Sequence, residues 1–486
     1  MGFLQKLASV MFYAAIPLLI PLLYGLYLGE DVVGIGISVL ILTFPFVPAL
    51  TLTLIRNMKD FVISLFRKET PWNYVTMEQI AGIKAQIGEL SLGQALALTS
   101  FAWIIIPAIC SIPYVYSGMA PLDAFFESMS GWTSTGLSVV EFPENFSQSL
   151  ILFRSITQWI GGLGIIILML AVLRGREAMT LFKAEGGRES LDVGVAKTVQ
   201  TYWKLYLVIS LLAAGLLFYF GIDLFNSINL MMSGISSGGF FPFSHYEFTD
   251  MQKFAVAAVM FAGATSLIFY RNLSMGRIKK ALGDEEFLLY VLVTVVAVGF
   301  IAYVGSEEIS NTLLNAVSAV TSTGFAIGDL AVMHAFSKYV IILLMISGGM
   351  YGSTTGAVKL WRILVVGKSV LLRIKGAFLP TGAVQVVKVN GMAIGTEAVI
   401  ESAIFIFAYG ALLLFGAGVF IATGEGIVDS LFLGASALGN VGLSTFAMWS
   451  LAETHKAFLI LLMYVGRIEI FPTLALARFV LDTIRR

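Results

Sequence analysis

Four times between residues 96 and 481 the chain runs through one three-part unit: a long apolar segment, a segment of about 12 residues ending in a glycine-containing loop, and a second long apolar segment. An internal repeat sets the architecture ahead of any local reading. The first unit uses Leu96–Tyr116, LDAFFESMSGWTSTGL and Leu150–Leu173; the second uses Trp203–Phe220, LFNSINLMMSGISSGGF and Phe254–Tyr270. The third uses Phe287–Val304, TLLNAVSAVTSTGF and Tyr339–Val366, and the fourth uses Ile400–Ile421, IVDSLFLGASALGNVGL and Ala457–Leu481. Aligned on the loops, Gly136, Gly239, Gly324 and Gly442 share one position. Leu137, Phe240, Phe325 and Leu443 follow them, and Ser130, Ser233, Ser318 and Ser436 stand six positions before.

The long segments reach the ~20 residues that cross a hydrocarbon core of ~30 Å. Of the 486 residues 58% are hydrophobic and 12% charged, which places the chain among integral membrane proteins. The formal net charge of zero gives no reason to expect nucleic-acid binding, and one cysteine excludes both an intrachain disulfide and a cysteine-built zinc site. Two apolar segments, Phe12–Leu28 and Val32–Leu54, precede the units and read as a helical hairpin rather than a cleaved signal peptide. The expected organisation is a hairpin with a cytoplasmic connector over 1–95, then units over 96–175, 176–275, 276–375 and 376–486.

The middle segments are too short to span. A half-length helix with an irregular loop is tolerated at membrane depth only where protein buries it or water lines it, so each unit reads as span, re-entrant half-helix with loop, span. Charge placement tests this independently. Ser111–Ser149, Gly221–Gln252, Tyr303–Ser337 and Gly418–His455 contain no lysine or arginine, whereas basic residues crowd between the units. By the positive-inside rule the connecting loops are cytoplasmic and the glycine loops open outward. Ten spans with both termini inside follow, in an all-α polytopic fold. Units of even span number share one orientation and are related by an axis along the membrane normal, so four glycine loops converge on one pathway.

A ring of backbone carbonyls replaces the water around an alkali cation. It needs backbone conformations that glycine tolerates best, and half-helices aim the negative ends of their dipoles at the axis. Acidic residues on the outer side raise the local cation concentration. These features describe a cation pore. Close helix packing is the competing account of such glycines.

At these residues the chain resembles the Trk/Ktr/HKT superfamily of potassium uptake proteins, and in particular its TrkH-type membrane subunits. The matching stretches are DAFFESMSGWTSTG, QWIGGLGIIIL, LFKAEG, ISGGMYGSTTGAVKLWR and YVGRIEIFPTL, together with the leading hairpin. The resemblance implies four M1-P-M2 repeats in pseudo-fourfold symmetry, a homodimer with one pore per subunit, and a cytosolic nucleotide-binding regulatory ring of the TrkA type. It implies a location in the cytoplasmic membrane, K+ as the transported ion (with Rb+ and some Na+), and no enzymatic activity or resident cofactor. It places the filter at Thr133, Ser134, Thr135 and Gly136, at Ser237, Gly238 and Gly239, at Ser322, Thr323 and Gly324, and at Asn440, Val441 and Gly442. Glycine at all four filter positions goes with potassium preference in this superfamily.

Two further features concern gating. SGGMYGSTTG, Ser347 to Gly356, interrupts the second span of the third unit with Gly348, Gly349 and Gly352. The resemblance makes this an intramembrane loop that obstructs the pore; a packing kink is the alternative. Arg467 lies inside an apolar segment, where an arginine normally faces a cavity or a partner. The resemblance puts it below the filter as a barrier to cations, and a structural ion pair with Glu469 or Glu401 is the alternative. Lys359 is a second gating candidate, or a lysine snorkelling at the cytoplasmic end. His245, His334 and His455 show no metal spacing. The stretches Pro71–Gln94 and Gly175–Lys197 read as cytoplasmic surface, either docking a regulatory subunit or serving as linker. A coupled secondary transporter of a small solute is the competing function; broken helices occur there as well, but usually in two related halves.

Overall fold

In the computed structural model, which describes residues 2–46, 92–164, 195–304, 308–378, 385–469, 473 and 478, the apolar runs of the sequence are helices. The leading pair is α1 (Gly2–Leu28) and α2 (Val33–Thr43), packed on each other. The first unit comprises α3 (Leu92–Cys110), α4 (Ile112–Tyr116), the short helix α5 (Pro121–Trp132) and the outgoing helix α6 (Gln148–Leu163). The second has α7 (Val195–Tyr219), the short helix α8 (Leu224–Ile235) and the outgoing helix α9 (Asp250–Gly263), then α10 (Leu267–Ser274) and α11 (Ile278–Leu282). The third has α12 (Glu285–Val304), the short helix α13 (Ile309–Val320), the outgoing helix α14 (Ala335–Ser347) and α15 (Leu360–Gly376). The fourth has α16 (Thr396–Ala422), the short helix α17 (Ile427–Leu438) and the outgoing helix α18 (Glu453–Ile468).

All four short helices have 12 residues, a rise of about 18 Å against a hydrocarbon core of about 30 Å. Their starts follow from sequence. Pro121 occupies the first position of α5, where its missing N–H costs nothing. The Asp223 side chain caps α8 by accepting from the Asn226 amide at 3.0 Å. Each ends in a right-handed cap, at Thr133, Ser236, Thr321 and Gly439, and passes directly into its glycine loop.

The units close in cyclic order. Outgoing helix α6 packs on the next unit's short helix α8, α9 on α13, α14 on α17, and α18 returns to α5 of the first unit. Buried apolar side chains from α1 through α18 form the main core, with a second cluster between α7, α8, α9 and α13. Large apolar residues such as Leu211, Leu212, Leu292, Val295, Phe407 and Leu414 stay exposed on the outer helices, as suits a surface solvated by lipid.

Three expectations need correction or fall outside the described residues. The outgoing segments were expected to be long, with one break in the third unit; all four helices stop after 13 to 16 residues. They end at Gly164 (φ 88°), at a 94° bend between α9 and α10, at Gly348 (φ 65°) and at Glu469 (φ 63°). Apolar residues continue past the first, second and fourth ends, so periodicity conceals them; the third lies at the glycine-rich break expected there. Among the described residues five helices are long and apolar enough to cross a membrane by length and composition alone, or six with the bent pair. A small hairpin also interrupts the all-α pattern: β1 (Val387–Val389) pairs antiparallel with β2 (Met392–Ile394) through Asn390 and Gly391, both at positive φ. The Asn-Gly pair between alternating residues is a hairpin signal. The connector 47–91, the motif LFKAEG, the residues 165–194 and the last residues of the chain lie outside the described residues.

Candidate functional site

The four glycine loops share one backbone. Ser134, Ser237, Ser322 and Asn440 stand at φ of 51°, 55°, 51° and 51°, and two residues later Gly136, Gly239, Gly324 and Gly442 stand at 89°, 80°, 91° and 96°. A left-handed serine is strained and persists only where the surroundings dictate it; asparagine tolerates the region better. The dictating bonds repeat as well. The amides of Thr135, Gly238, Thr323 and Val441 donate to the carbonyls of Ser130, Ser233, Ser318 and Ser436 at 2.7 to 2.9 Å.

The glycines form a closed ring. A Cβ built on Gly136 would sit 2.3 Å from the carbonyl oxygen of Gly238; on Gly239, 2.1 Å from that of Thr323; on Gly324, 2.2 Å from that of Val441; on Gly442, 2.2 Å from that of Thr135. Each loop thus lies against the carbonyl of the next, and the fourth meets the first. No other residue fits these four positions without displacing a backbone. The structure brings together every glycine that the alignment of the repeats had placed in register.

Side chains hold the ring in two ways. In three loops the glycine amide donates to the serine six residues back: Gly136 to Ser130, Gly324 to Ser318 and Gly442 to Ser436, each at 3.0 Å. The hydroxyls of Thr133 and Thr135, and of Thr321 and Thr323, pair at 2.7 Å. Asn440 joins the fourth loop to the first by donating to the Thr135 hydroxyl at 2.9 Å. The second loop instead rests on Gln158 of α6, a residue sequence reasoning passed over inside the motif QWIGGLGIIIL. A second omission is the buried pair Glu127–Arg154, at 2.6 Å. Glu127 also accepts from the Ser138 hydroxyl and the Val139 amide at 3.0 to 3.1 Å, which pins the chain as it leaves the first loop. Arg154 reaches the Phe241 carbonyl at 3.1 Å, in the second unit.

The gating candidates assemble beside the ring. Between α14 and α15 the chain runs as a loop whose ends are tied, Val358 N to Ile346 O and Leu360 N to Gly349 O, both at 3.1 Å. Gly348 (φ 65°), Gly352 (φ 77°), Ala357 (φ 63°) and Lys359 (φ 70°) are left-handed. The Thr354 hydroxyl lies 2.8 Å from that of Ser237, and a Cβ on Gly356 would meet the Gly439 carbonyl at 2.4 Å, so the loop abuts the second and fourth glycine loops. Gly349 packs against Ala264, at the bend between α9 and α10. The Glu286 carboxylate, in the first turn of α12, accepts from the Tyr351 amide at 2.6 Å. Arg467 donates to the Thr354 carbonyl at 3.1 Å, to that of Gly162 at 2.9 Å, and to that of Gly161. Of the two acids considered as its partner, Glu469 is held by Arg362 at 3.0 Å. The Lys359 ammonium lies over the Tyr351 ring at 5.3 Å. A cavity of about 760 Å³, lined by Arg271, Arg277, Lys279 and Lys280, extends along this loop at Met350, Tyr351 and Gly352.

The acidic residues of the windows that lack lysine and arginine are less free than those windows suggest. Lys253, Lys338 and Lys456, each the fourth residue of an outgoing helix, begin where those windows stop. Lys253 pairs with Glu308 at 3.4 Å, Lys338 with Asp429 at 2.9 Å and Lys456 with Asp123 at 2.8 Å, each acid sitting at the start of the next unit's short helix. Between the first and second units the link is Glu144, which accepts from the Ser244 amide at 2.9 Å and from its hydroxyl. Burial works against the charge of Glu144, yet those bonds hold its carboxyl below the usual range. His334 caps α14 by accepting from the Phe336 amide at 3.2 Å, a structural role.

Comparison with known proteins fits this geometry. The family model described as TrkH, cation transport protein, matches residues 82–281 and 285–483. An uncharacterized cation transporter of Methanocaldococcus jannaschii is 32% identical over 395 residues, covering 80% of this chain and 82% of its own. The Trk system potassium uptake protein TrkH of Escherichia coli is 26% identical over 416 residues, covering 80% and 86%. The crystal structure of the potassium transporter TrkH from Vibrio parahaemolyticus superposes with a TM-score of 0.78 over 98% of both chains, at 22% identity, a likeness of fold. The chain is an all-α, multi-pass membrane protein, not an enzyme, and it belongs to the TrkH family of cation transport proteins.

Proposed function

We propose that the chain carries potassium into the cell through the passage enclosed by its four glycine loops. The observation that carries this reading is ring closure: every ring glycine lies against the carbonyl of the next loop. A cation shed of water gains oxygen ligands from such a ring, and the loops' fixed left-handed residues spare it the cost of ordering them. The filter comprises Thr133, Ser134, Thr135 and Gly136, with Ser237 to Gly239, Ser322 to Gly324 and Asn440 to Gly442. The relatives named as potassium uptake proteins support potassium as the ion, with Rb+ accepted and Na+ partly so. The membrane potential supplies about 2.3 kcal/mol per 100 mV for each inward charge.

The units are M1-P-M2 repeats with outward-facing filters, both termini inside and ten spans in all, in the cytoplasmic membrane. The segment from Gly348 to Lys359 gates below the filter, with Gly349 and Gly352 as its pivots, and Arg467 raises the barrier there. The functional form is a homodimer regulated by a cytosolic nucleotide-binding subunit of the TrkA type. Closure among four units, rather than two halves, weighs against a solute symporter.

The test is rubidium uptake into vesicles holding the purified chain, in competition with potassium and with sodium. Gly136→Ser and Gly324→Ser each push a side chain into a neighbouring carbonyl. Both are expected to lower the K+/Na+ ratio by roughly tenfold, the equivalent of one well-placed ligand bond. Unchanged discrimination in both variants sinks the filter assignment.

A further inference from the structure

Three loops carry a β-branched residue just before the ring glycine: Thr135, Thr323 and Val441. The second carries Gly238, and its backbone does not demand glycine, because Gly238 is not among the left-handed residues. What demands it is a side chain from the neighbouring unit. A Cβ on Gly238 would lie 2.5 Å from Cδ and Oε1 of Gln158, which is fully buried on α6.

Gln158 fills the vacated space with three hydrogen bonds. Its amide nitrogen donates to the Gly238 carbonyl, and its Oε1 accepts from the Ser233 hydroxyl at 2.6 Å and the Phe240 amide at 3.1 Å. Ser233 is thereby turned from the task that Ser130, Ser318 and Ser436 perform, accepting from the ring glycine. The Gly238 carbonyl is the ring member equivalent to those of Thr135, Thr323 and Val441. None of those three accepts a hydrogen bond from a described residue.

We propose that Gln158 is the specificity-setting positioning residue of the filter, standing in for the side chain absent at residue 238 and occupying one of the four ring carbonyls with its amide. An oxygen that shares its lone pairs with an N–H offers a weaker field to a cation. A weaker field favours the larger, less strongly hydrated ion. The amide also fixes where that carbonyl points, in a loop that has neither the threonine hydroxyl pair of the first and third loops nor the Asn440 link of the fourth. The second loop is therefore the asymmetric corner of the filter, and the pair Gln158 with Gly238 is exchangeable for a small residue with threonine. Ser236 stands where Thr133 and Thr321 stand, so a threonine hydroxyl placed two residues later finds a partner as theirs do.

This inference rests on reading the loops as a cation filter, so Gly324→Ser is assayed beside it. Four further forms of the full chain are purified and reconstituted: Gln158→Met, Gln158→Ala, Gly238→Thr, and the double variant Gln158→Ala with Gly238→Thr. Gln158→Met keeps the volume and removes the three side-chain hydrogen bonds, leaving the backbone carbonyl to accept from the Ser134 hydroxyl; it is expected to lower the K+/Na+ ratio by about fivefold to tenfold, more than it lowers rubidium uptake. Gly238→Thr alone is expected to abolish uptake, because the new side chain collides with Gln158. The double variant is expected to recover uptake and a K+/Na+ ratio within about twofold of the parent, a coupling that independent sites do not show. If Gly324→Ser changes nothing, the filter reading itself falls and this inference with it. If Gly324→Ser collapses discrimination and Gln158→Met does not, only the role of Gln158 is overturned. Normal uptake by Gly238→Thr, or a double variant that passes no more rubidium than Gly238→Thr or cannot be purified, overturns it too.

Discussion

Glu127 is fully buried midway along α5, and its charge is met from three sides: Arg154, the Ser138 hydroxyl and the Val139 amide. Taking one partner from a buried pair strands the other charge and costs about 3–5 kcal/mol. Glu127→Ala is therefore expected to lower the thermal unfolding temperature in detergent sharply, and the double change Glu127→Leu with Arg154→Met to restore much of it. Equal losses in both would show that shape, not stranded charge, decides stability here. The ring glycines were readable from sequence because their demand is local: a left-handed backbone and a close approach, repeated in register four times. Glu127, Arg154 and Gln158 were not. Arg154 lies 27 residues from Glu127 and Gln158 lies 80 from Gly238, and no local spacing rule joins residues that meet only through tertiary packing.

At the scale of elements the short helices were legible by length alone, since 12 residues cannot cross the core. Of the ends of the outgoing helices only the third was, from the glycine-rich stretch Ser347 to Gly356; past the other ends apolar residues run on, and composition is blind to a bend. The loop between α14 and α15 is the element with the most evident mechanical role. It touches two glycine loops, is held by Glu286 on one side, and meets Arg467 on the other. Arg467 bonds at once to that loop and to Gly161 and Gly162 at the end of α6, so it ties the third unit to the first. Charge-assisted bonds of this kind contribute about 1.5–3 kcal/mol each. Arg467→Ala is expected to raise cation flux by roughly tenfold or more at matched expression, through loss of both the tether and the positive charge. Arg467→Lys is expected to fall between, since a compact ammonium cannot span the same carbonyls. Flux equal to or below the parent in Arg467→Ala counts against the barrier role.

For the whole molecule, the units must close a ring through contacts that the chain's order does not supply. Three lysines do this in the first turn of an outgoing helix, each reaching an acid of the following unit. The last, Lys456, reaches back 333 residues to Asp123. An acid at the start of a short helix already gains from the helix dipole, so the same carboxylate stabilises its own unit and the seam. The links are not equal. Lys456–Asp123 and Lys338–Asp429 are short, at 2.8 and 2.9 Å, with acid side chains 31% and 34% exposed, whereas Lys253–Glu308 is 3.4 Å long with Glu308 73% exposed. Exposed pairs contribute about 0–1 kcal/mol, and partly buried ones more. Single substitutions to methionine should therefore rank by thermal unfolding in detergent, with Lys456→Met and Lys338→Met clearly destabilising and Lys253→Met nearly silent. Double-mutant cycles with Asp123→Asn and Asp429→Asn should recover coupling of about 1 kcal/mol, against almost none for Glu308→Gln. If Lys253→Met proves as damaging as Lys456→Met, the lysines act through burial of their own stems rather than through the seams, and ring closure rests on the packing of α18 against α5 and its counterparts.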